Sequence, residues 1–402
     1  MKKERILLFT LAFIQFTNIV DFMIMMPLGQ QLMRVMKINA QHFGFLVAAY
    51  TFSAFVSGLF GSVWLDKFDR KKAMLFLYTG FVIGTFACAF AKDYQFLLFA
   101  RLFTGAFGGL MGAAVNSIVG DVVPYERRGQ AMGIVMTAFS IASIAGVPIA
   151  VYLAAVFDWH APFIMVASVG VCMLFVIWFA IPSMTGHLTD KKKPASGPFE
   201  GIVSTFSNKN QRRALLFMFV MILGHFAVVP FISPYMVSNV GFSEKQLAFI
   251  YLIGGALTFF TSPLIGKLSD RIGKHKTFYL FLVISMVPIA LITNMPATSL
   301  PLALCVTSLF FISSNGRMVP ANALMTSAVD PQHRGRFMSL NSAVVHLATA
   351  LASVYGGLIV YRDETGKFHN YNIVGYITIG LCLTTLFLIT KISAVEKKAE
   401  TP

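Results

Sequence analysis

Charged residues are scarce in this chain: only 12% of its 402 residues are Asp, Glu, Lys or Arg, about half the share found in soluble domains. Cysteine is scarce as well, and the four cysteines stand singly in different apolar segments. That arrangement excludes a disulfide framework and a cysteine-based metal site. The sequence also lacks the Walker A pattern of nucleotide-driven pumps, the H-E-x-x-H pattern of zinc hydrolases and any nucleophile constellation. It therefore predicts neither a primary pump nor an enzyme, and neither a metal nor a cofactor.

Apolar residues fill the chain instead and make up 56% of it. They form runs long enough to cross a bilayer, which takes about 20 residues of helix. Apolar and polar residues do not alternate within these runs, as they would in the strands of a membrane barrel. The sequence thus predicts an all-α membrane protein. Its predicted spans are 6–29, 43–65, 73–91, 95–119, 130–156, 161–182, 213–238, 246–266, 277–294, 300–325, 337–360 and 373–391.

Two charged loops recur at nearly the same spacing. The loop around Asp66 returns around Asp270, 204 residues later, and the Arg-Gly pair at Arg128 returns at Arg334, 206 residues later. Such a repeat in an apolar chain indicates a duplicated half. We predict an N-terminal six-helix bundle in residues 1–182, a cytoplasmic linker in residues 183–212 and a C-terminal six-helix bundle in residues 213–402.

The formal net charge of +15 is distributed unevenly. If the N-terminus is cytoplasmic, 24 of the 32 Lys and Arg residues lie on that side, six lie outside, and Arg101 and Arg317 lie within spans. Cytoplasmic loops of membrane proteins carry an excess of positive charge. The bias predicts a multi-pass protein of the bacterial inner membrane with both termini cytoplasmic. No basic patch is interleaved with aromatic residues in a soluble domain, so we expect no nucleic acid partner. We expect the protein to be a monomer surrounded by membrane lipids.

Four kinds of segment carry motif-like residues. In the two charged loops these are Asp66, Arg70 and Lys71, and Asp270 and Arg271. The others are Arg101 to Gly105 in span four, Gly146 to Pro148 in span five, and Asn18 with Asp21 in span one. In that order they resemble motifs A, B and C of the major facilitator superfamily and the first-helix motif of its drug:proton antiporter branch, although Asp69 stands where motif A usually has glycine. The resemblance implies twelve helices in two pseudo-symmetric six-helix bundles and transport by alternating access.

The resemblance also implies a conformational latch, because the motif A cluster of family members holds the two halves in the outward-facing state. Here the latch would use the motif A residues of both loops together with Asp121. This acid lies at the cytoplasmic end of span four, where Arg70 can pair with it. The position 206 residues later is Ser327, with another acid three residues beyond, so we predict the stronger latch on the N-terminal half. In the antiporter motif, Gly146 and Pro148 are predicted to bend span five where it meets the other half.

An ionisable side chain within a bilayer is costly unless it is paired or hydrated, and is therefore a functional hypothesis by default. Asp21 and Arg101 lie at similar depth from the outer ends of spans one and four and could form a pair. We predict that Asp21 takes up and releases the transported proton, with Arg101 as its charged neighbour. The alternative is a purely structural ion pair.

Four further residues near mid-membrane are the predicted substrate-binding residues: Asn18, His225, Arg317 and His346. Counted with Asp21 and Arg101, the buried ionisable groups are one acid, two arginines and two histidines. This excess of positive charge favours an anionic or zwitterionic small-molecule substrate.

These observations predict a proton-coupled secondary transporter that exports small amphiphilic or organic-anion compounds. Motif C favours export, whereas the basic buried groups leave proton- or ion-coupled uptake of an organic anion as an alternative. A non-transporting receptor or a lipid-handling carrier is the alternative from another class. Ionisable residues on spans one, four, seven and ten, the expected central helices, argue against a receptor.

Overall fold

Twelve long helices make up the computed structural model, which describes residues 2–65, 67–124, 127–185, 205–330 and 334–393, without the side chains of residues 2, 3 and 62–65. Each helix is long and apolar enough to span a membrane, which confirms the predicted all-α architecture. Spans one to six are Lys2–Ile24, Ala40–Leu65, Arg70–Ala89, Tyr94–Val122, Arg128–Val156 and His160–Ala180. Spans seven to twelve are Lys209–Val240, Glu244–Ile272, Lys274–Thr293, Leu300–Ser327, Arg334–Ile359 and Tyr371–Ile389.

Span one ends at Ile24, earlier than the apolar run predicts, and a short helix, Gly29–Val35, follows it. The reason is Pro27, which has no amide hydrogen to donate and disfavours helical backbone at the residue before it. Spans five and seven each contain a π-helical turn, at Ala142–Gly146 and Met236–Val240. The apolar runs thus predicted that spans one, five and seven exist, but not where each helix is interrupted.

Polar caps fix the points at which several spans begin. The side chains of Asp69, Asp93 and Asn208 accept hydrogen bonds from amides in the first turns of spans three, four and seven. Ser243 and Gln246 form a reciprocal capping box at the start of span eight. These side chains satisfy amides that have no partner within their own helix.

Contacts between helices repeat with a period of six spans. In the N-terminal half, span one packs on spans five and six, span three packs on spans four and six, and span two packs on span four. Each of these pairs recurs six spans later in the C-terminal half. Between the halves, span two packs on span eleven and span five packs on span eight, again a matching pair. This pattern confirms two pseudo-symmetric bundles, whereas the predicted linker 183–212 falls mostly outside the described residues.

The spans alternate in direction, so the molecule has two faces. The terminal face carries the start of span one and the end of span twelve. The opposite face carries the short helix Gly29–Val35 and a hairpin of two strands, Tyr361–Arg362 and Phe368–His369. The halves meet closely near the opposite face, because a Cβ atom on Gly44 of span two would lie 2.5 Å from the carbonyl oxygen of Ser353 in span eleven.

Candidate proton and substrate sites

Asp21 and Arg101 form a fully buried ion pair in the N-terminal half. Asp21 lies in span one and Arg101 in span four, and Arg101 Nη1 is 2.8 Å from Asp21 Oδ2. Neither side chain is exposed to solvent. The hydroxyl of Thr85 in span three donates a further hydrogen bond of 3.1 Å to Asp21 Oδ1. The structure thus brings together the two residues predicted to couple transport to protons.

An aromatic ring contacts the Arg101 guanidinium as well. Its central carbon lies 4.6 Å from the ring centroid of Tyr50 in span two, within the range of a cation–π contact. The Tyr50 hydroxyl donates to Asn18 Oδ1 at 2.5 Å, and Asn18 Nδ2 donates to the carbonyl of Gly108 at 3.2 Å. The amide of Asn18, a predicted substrate ligand, is therefore engaged in positioning Tyr50. Among the described residues, Arg101 Nε and Nη2 have no hydrogen-bond partner.

Arg317 of span ten is buried without an acidic partner among the residues that the structure describes. Its Nη1 donates to the Cys382 thiol of span twelve, with 2.9 Å between nitrogen and sulfur. His225 of span seven and Ser314 line the same cavity, whose volume is about 10 Å³, enough for about one water molecule. Arg317 Nε, His225 Nδ1 and Ser314 Oγ have no hydrogen-bond partner in the described part of the chain. The structure thus places two predicted substrate-binding residues, His225 and Arg317, at one cavity. The sequence did not indicate Ser314 in the cavity lining or Cys382 as the partner of Arg317.

His346 lies apart from this cavity. It belongs to span eleven, which packs against spans two and seven between the halves. Its side chain is half-buried, and it is not among the described residues that line the cavity. In this conformation His346 and Arg317 therefore do not share one site.

Arg70 and Asp121 form an ion pair at the terminal face, with 2.9 Å between Nε and Oδ2. The pair joins the start of span three to the end of span four, within one half. Asp66, the acid predicted to complete this latch, lies outside the described residues. The Lys71 ammonium instead donates to the carbonyl of Trp178 at 2.6 Å and lies 5.1 Å from its ring centroid. Lys71 thus fastens span three to span six.

Asp69 connects the same two spans, which sequence reasoning missed. Its Oδ1 accepts hydrogen bonds from the amides of Lys71 at 2.8 Å and Met184 at 3.0 Å, and its Oδ2 accepts one from the Ser183 hydroxyl. Burial raises the pKa of Asp69, but these hydrogen bonds outweigh burial and hold the pKa below the ordinary value of 3.8. Ser183 is 114 residues away, so no local pattern announces the contact.

The C-terminal copy of the loop differs from the first. The side chains of Asp270 and Arg271 are exposed and make no hydrogen bond or ion pair with another residue in the described ranges. Arg271 lies in the last turn of span eight, where a positive charge favours the helix dipole. The structure therefore does not bring the second half of the predicted latch together.

Two arginines preserve the internal repeat instead. Arg128 Nη2 donates to the carbonyl of Gly120 at 2.5 Å, and Arg334 Nε donates to the carbonyl of Thr326 at 3.1 Å. Donors and acceptors are each 206 residues apart. Both guanidinium groups thus satisfy carbonyls in the last turn of a helix, at the ends of spans four and ten.

The antiporter motif coincides with the π-helical turn of span five. The amide of Val147 donates to the carbonyl of Ala142, five residues back. Pro148, the next residue, has no amide hydrogen for a regular helical bond. Extra residues inserted in this way disturb a helix at a defined point.

Gly146 faces its own half rather than the other one. A Cβ atom on Gly146 would lie 2.4 Å from a methyl group of Val20 in span one. A close contact across the halves is made one turn earlier, where a Cβ atom on Gly255 of span eight would lie 2.5 Å from the carbonyl oxygen of Ser143. The disturbed segment of span five therefore touches span one and span eight together.

At the opposite face the two halves are hydrogen-bonded to each other. Glu244 of span eight accepts a hydrogen bond from Gln31 at 2.5 Å and forms an ion pair of 2.9 Å with Arg34. We call Gln31, Arg34 and Glu244 the opposite-face gate. The Ser238 hydroxyl adds a bond of 3.1 Å to Gln30. These contacts hold the two halves together at the opposite face in this conformation.

The family model of the Major Facilitator Superfamily matches residues 11–353 and 214–402 of the chain. The chain belongs to the Major Facilitator Superfamily. Members of this superfamily are transporters, so the protein is a multi-pass membrane transporter and not an enzyme.

Relatives within the superfamily cover most of the chain. The "Uncharacterized MFS-type transporter YtbD" of Bacillus subtilis (strain 168) is 27% identical over 329 residues, which are 80% of this chain and 79% of the relative. The "Multi-drug resistance efflux pump PmrA" of Streptococcus pneumoniae is 25% identical over 343 residues, 83% of this chain and 82% of the relative. A solved D-xylose-proton symporter matches with a TM-score of 0.76 and 15% identity, over 97% of this chain and 98% of that one. At that identity the match shows the superfamily fold alone.

Proposed function

We propose that this superfamily transporter exchanges protons for a small-molecule substrate by alternating access, in the direction of export. The observation that carries the proposal is the buried pair of Asp21 and Arg101, 2.8 Å apart and without solvent exposure. A buried ion pair is a poor source of stability, because desolvation offsets its attraction. Its position on spans one and four, which are expected to line the central pathway, supports a role in coupling instead.

The geometry allows a proton and the Arg101 guanidinium to compete for the Asp21 carboxylate. Asp21 accepts hydrogen bonds from Arg101 and Thr85. A proton that binds Asp21 cancels the attraction to Arg101, while the guanidinium keeps its contact with the Tyr50 ring of span two. Protonation therefore removes one partner of Arg101 and leaves the other in place. Release of the proton restores the pair.

Alternating access needs closure at each face in turn. The opposite-face gate supplies charged and polar contacts between the halves in this conformation. Arg70 and Asp121 lie at the other end of the molecule, where the latch proposed for the outward-facing state would form. The excess of Lys and Arg in the loops of the terminal face supports a cytoplasmic location for that face and for both termini. Labelling of single cysteines at Lys92 and Lys276 tests this: only the first should react with an impermeant reagent from outside.

Export is supported by the antiporter motif in span five and by the efflux function in the name of one relative. The fold alone does not favour a direction, because a sugar–proton symporter shares it. The second candidate is proton-coupled uptake of an organic anion. The buried Arg317, whose partner is a thiol rather than an acid, is the observation that favours it.

Proteoliposomes with an imposed pH gradient test the proposal. A compound library is first screened for accumulation that depends on the gradient. Asp21→Asn should then abolish gradient-driven transport but retain exchange of labelled for unlabelled compound. Asp93→Asn is the matched control, because Asp93 is an exposed helix cap and Asn can also cap. Full gradient-driven transport by Asp21→Asn would refute the assignment of the proton to Asp21.

A further inference from the structure

The cavity in the C-terminal half contains more hydrogen-bonding capacity than the protein uses. Met221, His225, Ser314, Arg317 and Met318 line it. Three of its polar atoms, Arg317 Nε, His225 Nδ1 and Ser314 Oγ, are buried without a partner among the described residues. A buried polar group that lacks a partner is costly, and most proteins avoid such groups. Three of them around one cavity indicate that something absent from the protein itself completes the site.

The charge of Arg317 defines what is missing. Its side chain is only 3% exposed, and an arginine does not escape burial by losing its proton. The thiol of Cys382, its partner at 2.9 Å, is a weak and neutral acceptor. Arg101, by contrast, has the carboxylate of Asp21. The cavity therefore has a fixed positive charge and hydrogen-bond donors but no anion among the described residues.

We infer that this cavity binds the anionic group of the transported substrate, and that the substrate is a carboxylate with an apolar body. The inference rests on the proposed transport function and names its substrate class. Arg317 donates from Nε and Nη2, which lie on one edge of the guanidinium, and Ser314 donates from its hydroxyl to the same carboxylate. A guanidinium presents its donors in a planar fork that matches a carboxylate. His225 Nδ1 supplies a further donor in the tautomer that carries its proton there.

The surroundings of the cavity select the rest of the ligand. The His225 ring stacks on Phe310, with 5.7 Å between centroids and 11° between planes. Met221 and Met318 complete the apolar wall. The present volume of about 10 Å³ admits no organic carboxylate, so the ligand enters when the walls move. Methionine side chains are flexible enough to permit this.

Binding of charge-matched probes tests the inference. The probes are benzoate, benzamide and benzylamine, which share a ring and differ in charge, with 2-naphthoate as a larger carboxylate. Calorimetry on the purified transporter at pH 7 should show binding of the carboxylates and at least about tenfold weaker binding of the amide and the amine. Equal binding of all three benzene compounds, or the absence of carboxylate binding, would overturn the inference.

Variants then locate the site. Arg317→Gln should weaken carboxylate binding about 10- to 100-fold, the loss expected for a hydrogen bond to a charged group. Arg317→Lys should recover part of it, because a point charge replaces the fork, and Ser314→Ala should have a smaller effect. Arg212→Gln, the same substitution at an exposed position of span seven, is the matched control. Carboxylate binding that survives Arg317→Gln in a folded sample would place the anion elsewhere and refute the site.

The outcome is separable from that of the proposed function. Proton-driven transport of cations or neutral compounds, with no carboxylate binding, would retain the transport function and reject the cavity as an anion site. Arg317-dependent carboxylate binding without any effect of a pH gradient would retain the site and reject proton coupling.

Discussion

Arg101 and Arg317 are both buried arginines, yet their removal should have different consequences for stability. Arg101→Gln leaves the Asp21 carboxylate buried with the Thr85 hydroxyl as its hydrogen-bond donor. Removal of one partner of a buried ion pair costs about 3–5 kcal/mol of unfolding free energy. Arg317→Gln removes a hydrogen bond to a thiol and, with it, a desolvated charge that no described anion balances. We expect the free energy of unfolding to change by less than about 1 kcal/mol, or to rise.

Thermal denaturation of the purified variants in one detergent at pH 7 measures the contrast. Arg101→Gln should melt several degrees below the wild type, and Arg317→Gln should melt at or above it. Arg212→Gln, exposed at the start of span seven, controls for the substitution itself. The double variant Asp21→Asn with Arg101→Gln should recover most of the loss, because no unpaired charge remains. The corresponding double-mutant cycle should give an interaction energy of about 3 kcal/mol or more.

Two results would refute this reasoning. If Arg101→Gln melts like the wild type, the attraction in the pair does no more than cancel its desolvation, and the carboxylate left behind has found another partner. If Arg317→Gln is destabilised as strongly as Arg101→Gln, the protein itself satisfies Arg317. The argument for an anion from outside would then fail together with the stability prediction.

Three further predictions concern the two faces. Glu244→Gln should weaken the opposite-face gate by about 1–2 kcal/mol, a 5- to 30-fold shift in population, and lengthen spin-label distances across that face, whereas Lys245→Gln should not. Asp121→Asn should break the ion pair with Arg70 and broaden label distances at the terminal face; unchanged distributions would contradict a latch role. Asp69→Ala should lower stability at pH 7 by about 0.5–2 kcal/mol through the lost cap. The pKa of Asp69 lies below 3.8, so the wild type should lose its stability advantage over the variant only as the pH falls through that lowered pKa. Identical melting temperatures of wild type and variant at pH 7 would contradict the prediction.

The bilayer explains why so much of the fold followed from the sequence. Every span must be apolar over about 20 residues, so the number and order of helices are written along the chain. The repeat at an offset of about 205 residues then predicts the pairing of halves, which the recurrence of helix contacts six spans later confirms. The break at Pro27 was readable in principle, because proline ends a helix by a local rule.

Contacts between distant segments were not readable in this way. Gln31 and Glu244 are 213 residues apart, and Asp69 and Ser183 are 114 residues apart. Each contact joins polar side chains at helix ends, and the hydrophobic pattern does not predict which neighbouring segment such a side chain contacts. Depth along a span placed Asp21 near Arg101, but rotation about the helix axis decided that they meet. The orientation of a side chain around its helix axis likewise decides that His346 does not line the cavity of Arg317.

The repeat also shows how the two halves have diverged in charge. His225 stands 204 residues after Asp21, the offset that relates the charged loops, so span seven has a histidine at the place where span one has an acid. The N-terminal half therefore contains a cation with its own carboxylate, whereas the C-terminal half contains a cation with no acid beside it among the described residues. Ring contacts of His225 with Phe226, of Phe226 with Phe22, and of Phe22 with Tyr50 run from one site to the other across the halves. On the proposed assignment, a proton competes with Arg101 for the anion in one half, and the substrate supplies the anion in the other. A carrier that exchanges protons for an organic anion needs this difference between Arg101 and Arg317. If both arginines were paired with carboxylates of the protein, no positive charge would remain for the substrate to neutralise.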